Sequence, residues 1–331
     1  MNIENMPKIV LHLHLDGSLD IKLVEKWLKE DIVNMSLEDI KKQLQVSKDC
    51  RNLNEYLEKF SFPCSLLQTK EHLYEATYNL LLNLHNMGVI YAEIRFAPSK
   101  HVVGGLTYDE VLKSVIEGLN KAKKDTGMFG GIILCCMRDE SKETNLKVVE
   151  LAKKYLNDGV CGIDLAGAEA LYPTANFEYI FDKARELNIP YTIHAGEADG
   201  INSINKAIEF KTKRIGHGVR AIDDINTMNL IKEKNILLEI CLTSNLQTEA
   251  IKGKHPLEDL YNYGINISIN TDNDTVSGIN IIEEYKRVLE ITNLSIKDLM
   301  KCNINSIDYI FANDETKNKL KNILALSLDK C

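Results

Sequence analysis

The feature that most restricts the fold of this chain is a repeated alternation of short apolar runs with longer charged, amphipathic stretches. The runs are KIVLHLHL (8–15), VIYAEIRFA (89–97), MFGGIILCCM (128–137), VCGIDLAG (160–167), IPYTIHAG (189–196), RIGHG (214–218), NILLEICLTS (235–244) and INISINTD (265–272). Strands that are apolar throughout and alternate with helices form a parallel sheet covered on both faces. Eight such units predict an α/β fold, a TIM-type (β/α)8 barrel.

The length of 331 residues fits one barrel, because α/β barrels often run this long as a single domain. We therefore expect one domain over residues 1–331. Residues 20–88 are too long for one crossover helix and follow the first run, so they are expected to form a helical lid at the C-terminal mouth of the barrel. Extra packing around the barrel is the alternative for this segment. Residues 280–331 are expected to form C-terminal helices packed on the barrel.

Composition excludes several classes of function. The net charge is −8 and no run of basic residues is dense, so nucleic acid is not an expected partner. The start, MNIENMPK, lacks the apolar core of a signal peptide, and no apolar stretch reaches membrane-spanning length. We therefore expect no membrane partner. The eight cysteines show no Cys-x-x-Cys spacing, which favours a reduced, cytoplasmic protein. The sequence does not set the oligomeric state, and a monomer is compatible with it.

Polar side chains collect at the predicted strand ends, where barrels carry their catalytic residues. His12 and His14 point to one side of the first run, His194 ends the fifth, and Asp272 ends the eighth. Three imidazoles and one carboxylate suit a divalent transition metal, most simply zinc with water in an open position. Taken one at a time, His12 and His14 also fit a polar strand end. Likewise, His194 fits a core histidine and Asp272 fits a helix N-cap. The fourth run contains no lysine that could bridge two metals, which favours one metal.

The remaining strand-end residues have the chemistry that metal-assisted hydrolysis requires. Zinc lowers the pKa of a bound water from about 15.7 to about 7, which makes hydroxide available near neutrality. His217 could orient that water or take its proton, and Asp272 could ligate and also accept a hydrogen bond from it. Glu197 could donate a proton if burial raises its pKa from the usual value of about 4.3. Its alternative is a carboxylate at the start of a helix.

Seven motifs, HLHLDGSL, YAEIRFAP, GIDLAGAE, HAGE, RIGHG, CLTSN and INTDN, occur in this order from residue 8 to about residue 275. Together they resemble the metal-dependent adenosine deaminases of the adenosine/AMP deaminase family, within the amidohydrolase superfamily. The resemblance implies a zinc-dependent (β/α)8 hydrolase acting on a cyclic amidine C–N bond. It would convert adenosine, and 2′-deoxyadenosine, to inosine and ammonia in purine salvage.

The resemblance also implies roles for the metal-site residues. One Zn²⁺ per chain would be held by His12, His14, His194 and Asp272. Glu197 would protonate N1 of the purine as hydroxide attacks C6, and His217 would orient the water.

For the purine nucleoside substrate, the backbone N–H of Gly167 would contact N3, and Asp16, with His14 nearby, would contact the ribose. Asn273 stands where many animal members carry an aspartate that bonds N7; an asparagine amide already carries donors for that acceptor. Ala168 replaces an acidic residue that often follows the glycine.

Three alternatives remain open within this chemistry and beyond it. Adenine deaminase would act on the free base, and other relatives act on modified adenosines or adenine nucleotides. The absence of an Arg or Lys cluster at the strand ends argues against a nucleotide phosphate. A barrel that only binds purine nucleosides would be expected to lack a ligand or the proton donor, and none is missing. The signatures of the cytidine-deaminase type of site are absent.

Overall fold

The computed structural model describes residues 2–47 and 49–328, so Met1, residue 48 and the last three residues of the predicted C-terminal helices lie outside it. The described strands are β1 (Lys8–His14), β2 (Val89–Phe96), β3 (Phe129–Met137), β4 (Val160–Ala166), β5 (Ile193–Ala195), β6 (Arg214–His217), β7 (Leu237–Ile240) and β8 (Asn266–Ile269). All paired neighbours are parallel, in the orders β1-β2-β3-β4 and β5-β6-β7-β8.

Two isolated parallel β-bridges join these two four-stranded sheets into a closed barrel. Ile163 of β4 pairs with Tyr191 just before β5, and Leu13 of β1 pairs with Asp272 just after β8. The predicted (β/α)8 barrel is confirmed. Three predicted runs overestimate their strands: the fifth begins only at Ile193, the eighth ends at Ile269, and the end of the seventh lies in a helix. The fifth run contains Pro190, which has no N–H for a ladder hydrogen bond.

The helices of the described residues are α1 (Ile21–Glu30), α2 (Leu37–Leu44), α3 (Leu53–Leu57), α4 (Ser61–Leu66), α5 (Lys70–Asn86), α6 (Tyr108–Thr126), α7 (Lys142–Lys154), α8 (Glu178–Glu186), α9 (Ile201–Glu209), α10 (Ile225–Glu233), α11 (Leu242–Gln247), α12 (Leu257–Tyr263), α13 (Asp274–Ser277), α14 (Ile281–Ile291), α15 (Ile296–Ser306) and α16 (Asp314–Leu328). Short 3-10 helices include Pro98–His101 after β2. Local sequence sets several ends: Thr107 and Glu110 form a capping box for α6, and Gly88 follows α5 with φ +82°.

Helices outside the β/α repeat lie at two places. Helices α1–α5 lie between β1 and β2, and α14–α16 follow β8. The Asn303 side chain of α15 accepts a hydrogen bond from the Ile9 backbone N–H at 2.8 Å, which ties the C-terminal helices to β1. Within the described ranges, no helix has both the length and the apolar character needed to cross a bilayer.

Candidate active site

The hydrogen bonds that close the barrel also assemble the predicted metal ligands. Asp272 N–H donates to His12 O at 3.2 Å, and His14 N–H donates to Asp272 O at 2.7 Å. Asp272 Oδ1 consequently lies 3.3 Å from His12 Nε2 and 3.4 Å from His14 Nε2. His194 of β5 brings its Nε2 within 3.3 Å of His14 Nε2. Four side chains from three strand ends thus converge at one buried point.

Carboxylates behind two of these imidazoles fix how the rings present their nitrogens. His12 Nδ1 lies 2.8 Å from Glu239 Oε2, and His194 Nδ1 lies 2.9 Å from Asp164 Oδ2. At His12 this hydrogen bond holds the proton on Nδ1 and leaves the Nε2 lone pair free for a metal, whereas at His194 the carboxylate is near Nδ1 without the geometry of a hydrogen bond. His12 Nε2 is buried and has no hydrogen-bond partner. This free nitrogen, together with two further imidazole nitrogens and a carboxylate, forms a donor set that suits a divalent transition metal.

A buried charge network supports those carboxylates from inside the barrel. Arg95 donates to Asp164 at 2.7 Å and to Glu239 at 2.9 Å; Arg214 donates to Glu239 at 2.7 Å and also to Glu93. Although burial opposes ionisation, Arg214 and Arg95 hold the pKa of Glu239 well below its usual range. The expectation that the strands are apolar throughout is therefore wrong. All five of these side chains have no exposed surface.

A chain of hydrogen bonds sets the tautomer of His217. Leu257 N–H donates to His255 Nδ1 at 3.2 Å, so the proton of His255 is on Nε2, which lies 3.4 Å from Asn245 Oδ1. The Asn245 amide therefore directs its Nδ2 to His217 Nδ1, at 3.0 Å. Because Nδ1 accepts, neutral His217 carries its proton on Nε2, which lies 3.4 Å from Glu197 Oε2. Burial keeps the pKa of His217 well below its usual value.

His217 lies close enough to the centre to compete with His14 as a ligand on distance alone. One ligand atom each from His12, His194, His217 and Asp272 fall within 4.8 Å of one another. A protonated Nε2 has no lone pair to offer, however. The tautomer thus favours His14 over His217 as the third imidazole ligand, and it leaves His217 beside the proposed metal position.

Glu197 has the surroundings of a carboxylic acid that stays protonated. Burial, the negative charge of Asp272 and that of Glu169 raise its pKa well above the usual value. Thr248 Oγ1 donates to its Oε1 at 3.3 Å. Helix α9 begins only at Ile201, so Glu197 lies outside the first turn, and the helix-start alternative does not describe it.

A second carboxylate holds the loop that carries this residue. Glu169 is buried and accepts the backbone N–H groups of Gly196 at 2.6 Å, Glu197 at 2.9 Å, Ala198 at 2.8 Å and Asp199 at 3.2 Å. Sequence reasoning gave Glu169 no role, although it ends the motif GIDLAGAE. A carboxylate after a strand-end glycine was the available signal.

Two residues of the proposed metal centre have a positive φ angle, which residues other than glycine rarely adopt. The φ angles are +64° at Asp272 and +60° at His217. Such strain is typical of functional sites. Asp272 Oδ2 is fixed by a 2.6 Å hydrogen bond from Ser244 Oγ. The N-cap of α13 is Asn273, so the N-cap alternative for Asp272 is wrong.

The centre opens into a cavity of about 720 Å³, within the range of about 300–1,000 Å³ usual for small-ligand sites. Its lining includes all four predicted substrate-binding residues, His14, Asp16, Gly167 and Asn273, together with Glu197, His217 and Asp272. Residues of α3, α4 and the turn between them form another wall.

Known proteins resemble this chain over nearly its whole length. A family model described as "Adenosine deaminase" matches residues 7–326. A protein named "Adenosine deaminase" from Haemophilus ducreyi is 41% identical over 322 residues, covering 94% of each chain. Another of that name, from Clostridium perfringens, is 37% identical over 327 residues, covering 97% of this chain and 98% of its own. Among solved structures, the Arabidopsis N6-mAMP deaminase matches with a TM-score of 0.87 at 26% identity, covering 98% of both chains.

Proposed function

This chain belongs to the adenosine deaminase family, and on that premise we propose that it hydrolyses adenosine to inosine and ammonia. The observation that carries the proposal is a buried centre of three imidazoles and a carboxylate, with the buried carboxyl group of Glu197 beside it in one cavity. Burial and the charge of Asp272 raise the pKa of Glu197, which suits a proton donor. A site that only bound purines would need neither the ligand set nor the raised pKa.

The family is metal-dependent, and we assign the metal to His12, His14, His194 and Asp272, as one Zn²⁺ per chain. The donor set and the orphaned His12 Nε2 support this assignment. When bound, the metal supplies Lewis-acid chemistry that lowers the pKa of water to about 7.

Residues of the chain then transfer the protons of the reaction and orient the water. Glu197 donates its proton to N1 of the purine as water adds to C6. His217 directs its Nε2–H toward that water and orients it. The added water gives one proton to N6 and the other to the Glu197 carboxylate, which restores the acid, while the proton first donated stays on N1. The C6–N6 bond then breaks, ammonia leaves, and the oxygen stays on C6 as the carbonyl of inosine. One water enters and one ammonia leaves, so atoms balance.

Four residues are proposed to hold the nucleoside. Gly167, with φ +104°, presents its backbone N–H to N3, while Asn273 donates its amide to N7. Asp16 and His14 contact the ribose. Because the 2′ position is remote from C6, the proposal extends to 2′-deoxyadenosine.

The charges of the cavity favour a nucleoside over a nucleotide. Among the described residues that line it, Lys100 is the single Lys or Arg. Its Nζ is already paired with Asp139 at 2.8 Å and Glu140 at 2.9 Å. A 5′-phosphate would meet these acids and Asp16 without a free cation, whereas ribose hydroxyls can donate to them.

An ultraviolet deamination assay on adenosine, 2′-deoxyadenosine, adenine, N6-methyladenosine and AMP tests the function. We expect the two nucleosides to have the highest kcat/KM, with AMP at least about 100-fold lower because its charge is unmatched. Dialysis against a chelator should abolish turnover, and one equivalent of Zn²⁺ should restore it. Ammonia from adenine but not from adenosine would support the free-base alternative instead. A preference for N6-methyladenosine would support the modified-adenosine one.

We also propose that residues 20–88 act as a lid and that residues 1–331 form one domain. Leu57 of α3, Phe60 of the turn before α4 and residues of α4 line the cavity rather than only packing on the barrel. Closure would exclude water and strengthen the electrostatics of the site. The seven cysteines described are all free, which supports a reducing compartment such as the cytoplasm. A monomer is the simplest state, since no proposed contact needs a second chain.

Gly17→Ala is expected to displace Asn273. A Cβ at Gly17 would overlap Asn273 Oδ1 and lie 2.6 Å from its Cγ. Losing the amide contact to N7 should raise KM for adenosine about 2–10-fold, the value of one hydrogen bond. Steady-state kinetics measure this effect. The control Gly200→Ala places its Cβ in open space and should leave KM within about twofold. An unchanged KM in Gly17→Ala would argue against a purine contact from Asn273.

Asn245→Asp is expected to reverse the tautomer of His217. A carboxylate accepts where the amide donated, so the proton moves to Nδ1 and Nε2 can no longer donate to water. We expect kcat to fall at least about tenfold, toward the size of a lost general acid–base contribution. Imidazole ¹⁵N chemical shifts report the tautomer independently of activity. The exposed Asn305→Asp should change neither quantity, and retention of the Nε2–H tautomer in Asn245→Asp would contradict the hydrogen-bond chain.

A further inference from the structure

We propose that Asp16, Cys64 and His101 form a second metal site, for a thiophilic divalent ion such as Zn²⁺ or Co²⁺, in the wall of the substrate cavity. The three residues come from the end of β1, from lid helix α4 and from the 3-10 helix after β2. No step of the proposed reaction uses Cys64 or His101.

The three ligand atoms lie close together. Asp16 Oδ2 is 3.9 Å from Cys64 Sγ and 3.8 Å from His101 Nε2, and all three atoms fall within 4.8 Å of one another. Tetrahedral zinc with bonds of about 2.3 Å to sulfur and about 2.1 Å to nitrogen and oxygen places such ligands about 3.4–3.6 Å apart. The two distances to Asp16 therefore need to shorten by a few tenths of an ångström, and the distance between Cys64 Sγ and His101 Nε2 by at most about 1.2 Å.

Unpartnered atoms point into this position. His101 Nδ1 lies 3.1 Å from Leu67 O, so its proton is committed there and Nε2 keeps a lone pair. His101 Nε2 and Asp16 Oδ1 are buried and have no hydrogen-bond partner. His101 has no exposed surface and Asp16 is 6% exposed. Buried acceptors without a hydrogen-bond partner are costly unless a cation or another donor binds.

The thiol is compatible with this role. Burial and the Asp16 carboxylate raise the pKa of Cys64, so the free site holds a neutral thiol. A coordinating metal ionises a thiol, and the proton is released to solvent. Cysteine, histidine and aspartate then supply three ligands and leave a fourth position open to the cavity.

Occupation of this site has a consequence that rests on the proposed function. The metal would take the Asp16 oxygens intended for the ribose and would tie the lid, through Cys64, to the barrel. Substrate and second metal should therefore exclude each other. The site itself stands without the deaminase assignment.

Cobalt distinguishes the two centres, because His12, His14, His194 and Asp272 include no sulfur. We expect chelator-treated protein to bind two Co²⁺ per chain in equilibrium dialysis. The second equivalent should add a thiolate-to-cobalt charge-transfer absorption in the near ultraviolet. Cys64→Ser should bind one equivalent without this absorption, and His101→Asn should weaken the second site at least about tenfold. Cys50→Ser, a free cysteine outside the cavity lining, should behave as the wild type.

One cobalt per chain without the charge-transfer absorption would overturn the proposal. The same holds if the absorption persists in Cys64→Ser. Competition is tested separately: at ten times its dissociation constant, the second metal should raise KM for adenosine about elevenfold without changing kcat. In Cys64→Ser the metal should not change KM. Deamination without the absorption removes only the second site, and the absorption without deamination removes only the proposed function.

Discussion

Replacing Glu197 by Gln is expected to lower kcat for adenosine by about 10²–10⁴-fold, the usual contribution of a general acid. The amide keeps the shape and the contact with Thr248 but has no proton acidic enough to reach N1. Stopped-flow and steady-state kinetics with adenosine measure the change. Glu186→Gln, on an exposed side chain of α8, should keep wild-type kcat.

The pH dependence of kcat/KM tests whether the proton of Glu197 takes part in the reaction. The pKa of Glu197 is raised, so its proton is present below that value and lost as the pH rises through it. Wild-type kcat/KM should therefore fall on the alkaline side, and that limb should vanish from the residual activity of Glu197→Gln. Near-full activity in the variant would show that another group protonates the purine.

Arg95→Met is expected to lower the free energy of unfolding by about 3–5 kcal/mol, because it leaves buried Asp164 without a guanidinium partner and Glu239 with Arg214 alone. Asp164 and Glu239 both lose their hydrogen bonds from this guanidinium. Urea unfolding at a fixed metal concentration measures the loss. Because these two carboxylates orient His12 and His194, metal affinity should also fall about 10–100-fold, as equilibrium dialysis would show.

The matched control is Arg220→Met, which removes an exposed ion pair with Asp223. Such a pair contributes about 0–1 kcal/mol, so this variant should unfold close to the wild type and keep its metal. Equal losses in the two variants would mean that the buried network does not stabilise the barrel beyond an ordinary surface pair.

The barrel could be predicted from sequence because each strand is a short apolar run with a helix after it. The predicted ends were less accurate where the chain leaves the sheet. Thr243 and Ser244 extend an apolar run in sequence but lie in α11, where Ser244 is turned toward Asp272. Neither the hydrophobic periodicity of a sequence nor its composition distinguishes a strand end from a helix that starts immediately after it.

The structure brings together the strand-end residues that sequence selected, whereas the residues that orient them were missed. Glu239 and Asp164 lie within apolar runs and could have been noticed as isolated charges, since a buried charge needs a partner. His255 could not be found this way. It lies in a loop, and its link to His217 through Asn245 depends on which amide atom faces which ring.

The pairing of β1 with the residues after β8 also has a consequence for biosynthesis. Of the proposed metal ligands, His12 and His14 are made first, and Asp272 follows about 13–52 s later at about 5–20 residues per second. A nascent chain therefore exposes His12 and His14 long before their carboxylate partner exists. Binding of the proposed metal is consequently expected only after β8 has been made, and ribosome-bound fragments that end before β8 should remain metal-free.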